Sequence, residues 1–497
     1  MTGRGSKLSL LQMEKVKEKI EAVYPGITVQ LITRESKGDL LQGIPLHKVE
    51  GTDFFTAEFF DALAKGEADI AVHSLKDMSS EHFFGENKFA VVDRDDIRDF
   101  AIFNNDIEEK IAKGETIVIG TCSPRREQMA TVFLRKALPQ LHNDIKIVAK
   151  PIRGNVETRL RKLDEREYDG TILATAGLNR LLQSNDGSSV KDLLANKKTM
   201  LLPLIECVPA PCQGAIVAEA NPLNKKAVEI LNSINNNEWM DACKEEKKTA
   251  RNYGTGCLQQ FGVTSISYGD KRIIYAAGRD SNGADFSKWS GLPELSLDGK
   301  KVFSSTERMG DFFEYEYLEN IPLPVEEFVY VANYKAVKQP KLLSALKEKK
   351  VWAAGTKTWF ELARTGTWVE GCADAFGLEF LLEAWQMPVL NISKNEVAII
   401  TNEQSLSTWK YKGWKVYVTY RLKEKKSETI SEQIKGADVV FWTSYRQYVQ
   451  YKDVLKRGVQ HSCPFGETAV QLKSAGINPV VFPNIKAFMQ WRQTCTP

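Results

Sequence analysis

The sequence predicts an α/β protein built from several domains. Apolar runs of strand length alternate with amphipathic helical stretches from end to end, the pattern of sheets whose faces are covered by helices. The 497 residues exceed what a single core supports, and the composition, 43% hydrophobic, 10% aromatic and 26% charged, is that of a chain able to bury real cores.

In the first three-fifths of the chain, strands are expected at 28–33, 69–73, 89–92, 116–120, 146–150 and 171–175, and helices over 10–22, 56–65, 125–138, 155–165 and 225–233. Residues 121–124 then lie between a strand and a helix, where backbone N–H groups are free to meet an anion. After Gly278 the run RDSNGADFSKWSGLPELSLDG offers turn residues without helical periodicity, followed by strand-like KKVFSST, which places a boundary at about residue 298. Beyond it, strands are expected at 327–331, 350–354, 397–401, 415–420, 438–443 and 479–482. KKVWAAGTKTWFELARTG and HSCPFGETAVQLKSAG share a Gly-containing turn with a Thr followed by a helix, which suggests two similar α/β lobes.

Bulk charge narrows the function. Lys plus Arg number 67 against 64 for Asp plus Glu, a net charge of +3, so no nucleic-acid partner is expected and an anionic ligand must be met by a local cluster. Apolar runs such as GTILATA and ADVVFW are strand length, far short of the roughly 18 residues of a membrane span, so no membrane partner is expected. MTGRGSKLSL lacks the apolar core of a signal peptide, which points to a cytoplasmic protein with reduced thiols. The cysteines at 122, 207, 212, 243, 257, 372, 463 and 495 form no CxxC pair and no pattern with histidine, so no metal is expected. A monomer is expected.

Four segments carry chemistry. In ADIAVHSLKD, an apolar strand ends in Lys76 and Asp77 at the edge where ligands of open α/β sheets bind. The pair is either a solvated ion pair or a carboxylate placed to stabilise a developing cation. In IGTCSPRREQM, Thr121, Ser123, Arg125 and Arg126 crowd a helix start, where two cations oppose the helix dipole unless an anion offsets them. KPIRGNVETRLRKLDEREYDGTILATAGLNRL sets Arg153, Arg159 and Arg180 near strand exits. With Arg4 and Lys7 they are equipment for several carboxylates, which guanidinium forks match bidentately. NYGTGCLQQFG holds Cys257 in a glycine-rich loop, either a buried structural cysteine or a thiol put to use. A Cys–His hydrolase would need His73 as partner, and that residue points toward a strand interior.

The order of RGSKLSLLQ, ADIAVHSLKD, GTCSPRRE, RGNVETRLRKLD, ILATAGLNRL, PAPCQGA and GTGC resembles porphobilinogen deaminase, or hydroxymethylbilane synthase, across residues 1–298. The resemblance implies three domains: 1–95 with 214–222, and 96–213, both folded like periplasmic binding proteins around a cleft, then a small α+β domain at 223–298 carrying the cofactor cysteine. It implies a dipyrromethane cofactor attached through Cys257 by a thioether. Asp77, with Lys76, would assist loss of ammonia and stabilise an azafulvene-like cation. Thr121, Ser123, Arg125, Arg126 and Lys76 would hold the cofactor, and Arg4, Ser6, Arg153, Arg159 and Arg180 the substrate's acetates and propionates, with Gln213 near the hinge. A polypyrrole with two carboxylates per ring needs such a cationic cleft. The chain departs from the family pattern in a missing or shortened first strand, in Thr52 and Ala57 where lysines are common, and in Cys122, Cys212 and Gln260.

The succession FVYVANYKAV, VWAAGTKTWFELARTG, KVYVTYRL, DVVFWTSYRQYV and FGETAVQLKSAG is similar to uroporphyrinogen-III synthase over residues 299–497. This implies two α/β lobes joined by a β ladder, trimmed of helices between VFSST and FVYVANYKAV, with a linear tetrapyrrole between them. Asn333, Thr358, Tyr420, Ser444 and Thr468 would contact it, and Tyr420 would assist loss of the hydroxymethyl hydroxyl. Together the resemblances imply a bifunctional enzyme that polymerises four porphobilinogen to hydroxymethylbilane and cyclises it to uroporphyrinogen III. Two other readings are a deaminase with a non-catalytic C-terminal module and a two-lobed solute-binding or sensor protein.

Overall fold

The computed structural model describes residues 1–34, 56–184, 186–254, 259–297, 299–308 and 310–495. Thr52 and Cys257 therefore lie outside the described residues. The chain divides into two compact units. The first comprises Met1–Ser265, Ile274–Lys288 and Met387–Leu390, and the second Ile266–Ile273, Trp289–Gln386 and Asn391–Pro497.

Two five-stranded sheets with the same plan make up most of the first unit. One runs Ile32–Arg34, Thr2–Arg4, Ala71–Ser74, Ala215–Ala220, Lys88–Arg94; the other runs Ile147–Lys150, Ile117–Gly120, Gly170–Ala174, Asp99–Asn104, Lys197–Leu201. In each, the fourth strand is antiparallel to both neighbours and the first three are parallel. The chain crosses between the sheets twice, from Arg94 to Asp99 and from Leu201 to Ala215, and each crossing feeds the antiparallel strand of the sheet it enters. Those strands, DFAIFN and AIVAEA, are buried at every position, as befits strands covered on both faces. Helix Lys7–Val23, capped by Ser6, turns Met13, Val16 and Ile20 onto the first sheet, where they join Val72, Val92 and Ile216 in one core.

The first strand is shortened rather than missing: Thr2–Arg4 pairs in register with Ile32–Arg34. The strand expected at 28–33 is confined to Ile32–Arg34. A three-stranded meander, Gln260–Tyr268, Lys271–Arg279 and Asp285–Ser290, occupies a stretch whose last part reads as turns in sequence. Asp285–Ser290 is an edge strand with only Trp289 buried, so it lacks the apolar alternation that would reveal it.

The second unit holds a four-stranded parallel sheet, Val302–Ser304, Val439–Phe441, Gln460–Pro464, Val480–Phe482. Its six-stranded sheet runs Phe313–Tyr317, Lys415–Glu424, Val397–Asn402, Phe328–Val331, Lys350–Ala353, Val369–Cys372. Lys415–Glu424 is parallel to Val397–Asn402 and antiparallel to Phe313–Tyr317, and the chain returns to the four-stranded sheet after it. The two look-alike segments are strand–turn–helix units, one per sheet: Lys350–Ala353 with Thr356–Arg364, and Gln460–Pro464 with Glu467–Ser474. Between Val302–Ser304 and Phe328–Val331 the only helical element among the described residues is the 3-10 turn Ser305–Arg308. No described helix is long and apolar enough to cross a membrane.

Candidate active site

The cationic residues picked out in the sequence emerge where parallel strands of the first unit end. Thr2–Arg4 delivers Arg4 and then Ser6, whose hydroxyl accepts from the Ser9 N–H at 3.3 Å and starts the helix. Ala71–Ser74 runs into the 3-10 turn Leu75–Asp77, which projects Lys76 and Asp77. In the second sheet Ile147–Lys150 leads to Arg153 and helix Val156–Asp164, which carries Arg159, while Gly170–Ala174 leads into helix Thr175–Gln183 and Arg180.

These ends enclose a cavity of about 760 Å³. Its wall includes Arg4, Lys7, Lys76, Arg126, Arg153, Arg159 and Arg180, against the carboxylates of Asp77 and Glu157. Ser6 lines it too. A volume of this size suits a ligand larger than one pyrrole. The excess of cations is the donor set that a polycarboxylate requires. Burial lowers the Lys76 ammonium below its ordinary value; Asp77 opposes that shift and Arg126 adds to it. A smaller cavity of about 90 Å³ adjoins Asp77 and Lys76, lined also by Ser123, Arg125, Phe261 and Gln259, the last of these two positions beyond Cys257.

The two arginines at the start of helix Pro124–Ala137 find their anion inside the protein. Arg126 donates from Nε and Nη2 to Asp99 Oδ1, at 3.2 and 2.8 Å, and from Nη1 to the Ile172 carbonyl at 3.0 Å. Arg125 pairs with Asp99 Oδ2 at 2.8 Å and donates to the Val208 carbonyl at 2.7 Å. Burial would raise the Asp99 carboxyl, but Arg125 and Arg126 hold it well below the usual range. Sequence reasoning missed Asp99 because its strand went unrecognised and it stands among other acids in RDDIRDF.

The expected residues are also tied to the protein behind the cavities. Ser123 caps the helix by accepting from the Arg126 N–H at 3.4 Å, and Thr121 accepts from the Ser123 N–H at 3.1 Å. Gln213, on the second crossing, donates to the Ile97 carbonyl at 2.7 Å and to Asp99 at 3.0 Å, tying the two crossings together. Arg180 reaches Asp93 at 3.0 Å and the Gly214 carbonyl at 2.5 Å. Arg159 donates to the Gly154 carbonyl at 2.9 Å. His73, near Asp77 in sequence, is buried with its Nε2 3.1 Å from Glu219 Oε2, so its partner is a carboxylate. Ala57 opens helix Ala57–Ala64.

In the second unit the five expected residues fall into two groups, each at the carboxyl ends of one sheet's strands. Asn333 caps the turn Tyr334–Val337, Thr358 is buried in helix Thr356–Arg364, and Tyr420 is buried on Lys415–Glu424. Burial pushes the Tyr420 phenol up to about 12. Ser444 caps helix Tyr445–Tyr451 through a capping box with Gln447, and Thr468 is half-buried in helix Glu467–Ser474.

A family model described as porphobilinogen deaminase, dipyromethane cofactor binding domain, matches residues 1–229. A porphobilinogen deaminase of Thiobacillus denitrificans is 33% identical over 275 residues, 55% of this chain and 82% of that protein. One from Campylobacter concisus is 34% identical over 287 residues, 57% of this chain and 85% of that protein. One from Lachnospira eligens is 34% identical over 311 residues, 62% of this chain and 96% of that protein. Among solved structures, a probable amino-acid ABC transporter extracellular-binding protein from Bacillus subtilis covers 50% of this chain and 94% of its own at 12% identity. Its TM-score is 0.27, too slight to build on.

Proposed function

The chain belongs to the porphobilinogen deaminase family, with a dipyrromethane cofactor binding domain at its start, and from that premise we propose that it joins four porphobilinogen units into hydroxymethylbilane, for tetrapyrrole biosynthesis in the cytoplasm. One observation carries the reading: seven cationic side chains line a single cavity that Asp77 lines too. When bound, the dipyrromethane supplies the pyrrole end from which the polymer grows, held through Cys257.

The chain's own groups divide the remaining work. Arg4, Arg153, Arg159 and Arg180 neutralise acetate and propionate groups and fix the register of the incoming ring. Arg126 faces the cavity while anchored on Asp99, so it meets a carboxylate without having to be ordered first. Asp77 faces the carbon from which the substrate amine departs, and its negative charge stabilises the cation that develops there. Lys76, whose ammonium is held below its ordinary value by burial, is suited to deliver a proton to the departing amine. Gln213 and the two crossings form the hinge about which the lobes accommodate a lengthening product.

The second unit is read as a uroporphyrinogen-III synthase that cyclises the first unit's product, with Tyr420 assisting departure of the hydroxyl. Motif order and two sheets joined through Lys415–Glu424 support this. Fusion places the second site near an unstable product at high local concentration. The short stretch between Val302–Ser304 and Phe328–Val331, with a single 3-10 turn among the described residues, favours as a second reading a deaminase with a non-catalytic C-terminal module.

Two measurements test the proposal. Intact-mass spectrometry of the purified chain should show the added mass of a dipyrromethane, absent in Cys257→Ala, and an unmodified wild type inert toward porphobilinogen would refute the deaminase. Product analysis should then give uroporphyrinogen III. Isomer I alone would leave the deaminase standing and remove the synthase.

A further inference from the structure

Around Tyr420, the six-stranded sheet of the second unit gathers further tyrosines and lysines that the proposed mechanism does not use. Along Phe313–Tyr317 the side chains alternate, so Tyr315 and Tyr317 share a face while Glu314 and Glu316 take the other. Tyr317 is paired with Tyr420 across the antiparallel ladder, and the Tyr420 ring lies 6.0 Å from that of Tyr315 and 6.1 Å from that of Tyr317.

Lysines converge on the same group. Lys335, in the turn that follows Phe328–Val331, donates to the Tyr315 hydroxyl and stands 3.6 Å from the centre of its ring. Lys338 and Lys357 lie 5.7 and 5.6 Å from the centre of the Tyr334 ring. Lys357 is the second residue of helix Thr356–Arg364, whose first turn has no side-chain cap. Among the described residues no carboxylate forms an ion pair with any of the three lysines. Burial holds the Lys335 ammonium below its ordinary value; Tyr334 opposes the shift, and Lys357 and Lys338 add to it.

The ammonium groups of Lys338 and Lys357 repel that of Lys335, a cost that the facing rings offset only in part and that an arriving anion removes. Their position matters as much as their charge. Lys335 and Lys357 both follow the carboxyl ends of parallel strands, where ligands of such sheets bind. Tyrosine adds flat faces for unsaturated rings and hydroxyls for their polar atoms.

We propose that this edge is a binding site for an aromatic polycarboxylate, with Lys335, Lys338 and Lys357 meeting its carboxylates and Tyr315, Tyr334 and Tyr420 its rings. The inference rests on the reading that the second unit receives the linear tetrapyrrole, whose rings each carry two carboxylates, and it assigns the groups that hold it.

The test titrates full-length protein with uroporphyrin I, a flat octacarboxylate, by isothermal calorimetry. The variant combining Lys335→Ala, Lys338→Ala and Lys357→Ala should lose one equivalent of uroporphyrin per chain, or bind it at least tenfold more weakly. The corresponding triple arginine variant should retain it. Unchanged number and affinity in an alanine variant with native circular dichroism would overturn the site. Isomer analysis separates this from the synthase reading. Isomer I alone from wild type, with uroporphyrin still lost on lysine removal, sinks the synthase and leaves the site. Isomer III from wild type, with the same KM and isomer ratio in the alanine variant, sinks the site and leaves the synthase.

Discussion

Arg126 and Asp99 form a buried ion pair, Nη2 to Oδ1 at 2.8 Å, and Arg125 closes on the other carboxylate oxygen at the same distance. One carboxylate thus pairs with two adjacent guanidiniums at a helix N-terminus, where the helix dipole already disfavours them. Removing it leaves two charges buried without their anion. Asp99→Asn should lower the unfolding free energy by about 3–5 kcal/mol, the cost of breaking a buried pair from one side. Urea denaturation checks this. A loss under about 1 kcal/mol would mean that the arginines draw their stabilisation from elsewhere.

Asp77 has the opposite profile. It lines both cavities and stands at the end of a short turn. Asp77→Asn keeps its size and removes its charge. The turnover of porphobilinogen should fall about 10²–10³-fold, the usual effect of deleting one group aimed at developing charge. Stability should stay within about 0.5 kcal/mol. Rapid-quench kinetics with a parallel thermal melt separates the two effects, and near-normal turnover would remove Asp77 from the chemistry.

The difference between these residues explains what could be read from sequence. Asp77 was legible because it ends an apolar run in a distinctive motif, and strand-end position is a local property of the chain. Asp99 was not, because it acts on Arg125 and Arg126 through pairing of the sheet, and nothing local distinguishes it from Asp95 or Asp96. The fold divides the same way. Helix Lys7–Val23 and the strands Ala71–Ser74, Lys88–Arg94 and Ile117–Gly120 follow their own periodicity, whereas Asp99–Asn104 and Ala215–Ala220 owe their positions to two chain crossings. In the second unit, Tyr420 could be named from its motif, but the lysines against Tyr315 and Tyr334 come from separate turns that only the sheet brings together.

At the second crossing, Gly214 has φ +83° and a Cβ added there would lie 2.4 Å from the Asp95 carbonyl oxygen, on the first crossing. Gly66 has φ +70° and open space around it. Gly66→Ala should therefore cost only the left-handed backbone term, about 1–2 kcal/mol. Gly214→Ala should cost clearly more and also reduce activity, since its carbonyl receives Arg180 and its displacement moves a cavity arginine. Thermal melts of both variants, with kcat for the second, test the claim. Equal costs would show that the crossings shift apart freely.

Glu219 lies fully buried between two imidazoles, with His73 Nε2 at 3.1 Å and His82 Nε2 at 2.5 Å, and Asn87 donates to it at 2.5 Å. Burial alone would raise its carboxyl, yet the hydrogen bonds and charge of His73 and His82 bring it from 4.5 down to about 2. A depressed carboxyl contributes stability that is complete above its unfolded value and is lost as pH falls through its folded value. The window here is thus from about pH 4.5 down to about 2, worth about 3 kcal/mol in all. Wild type should lose stability steeply across that window, and Glu219→Gln, already weaker at neutral pH, should lose less over the same range. Urea unfolding of both proteins from pH 6 downward measures the difference. Parallel curves would mean that folding leaves the Glu219 carboxyl at its ordinary value, so that His73 and His82 do not hold it in its charged form.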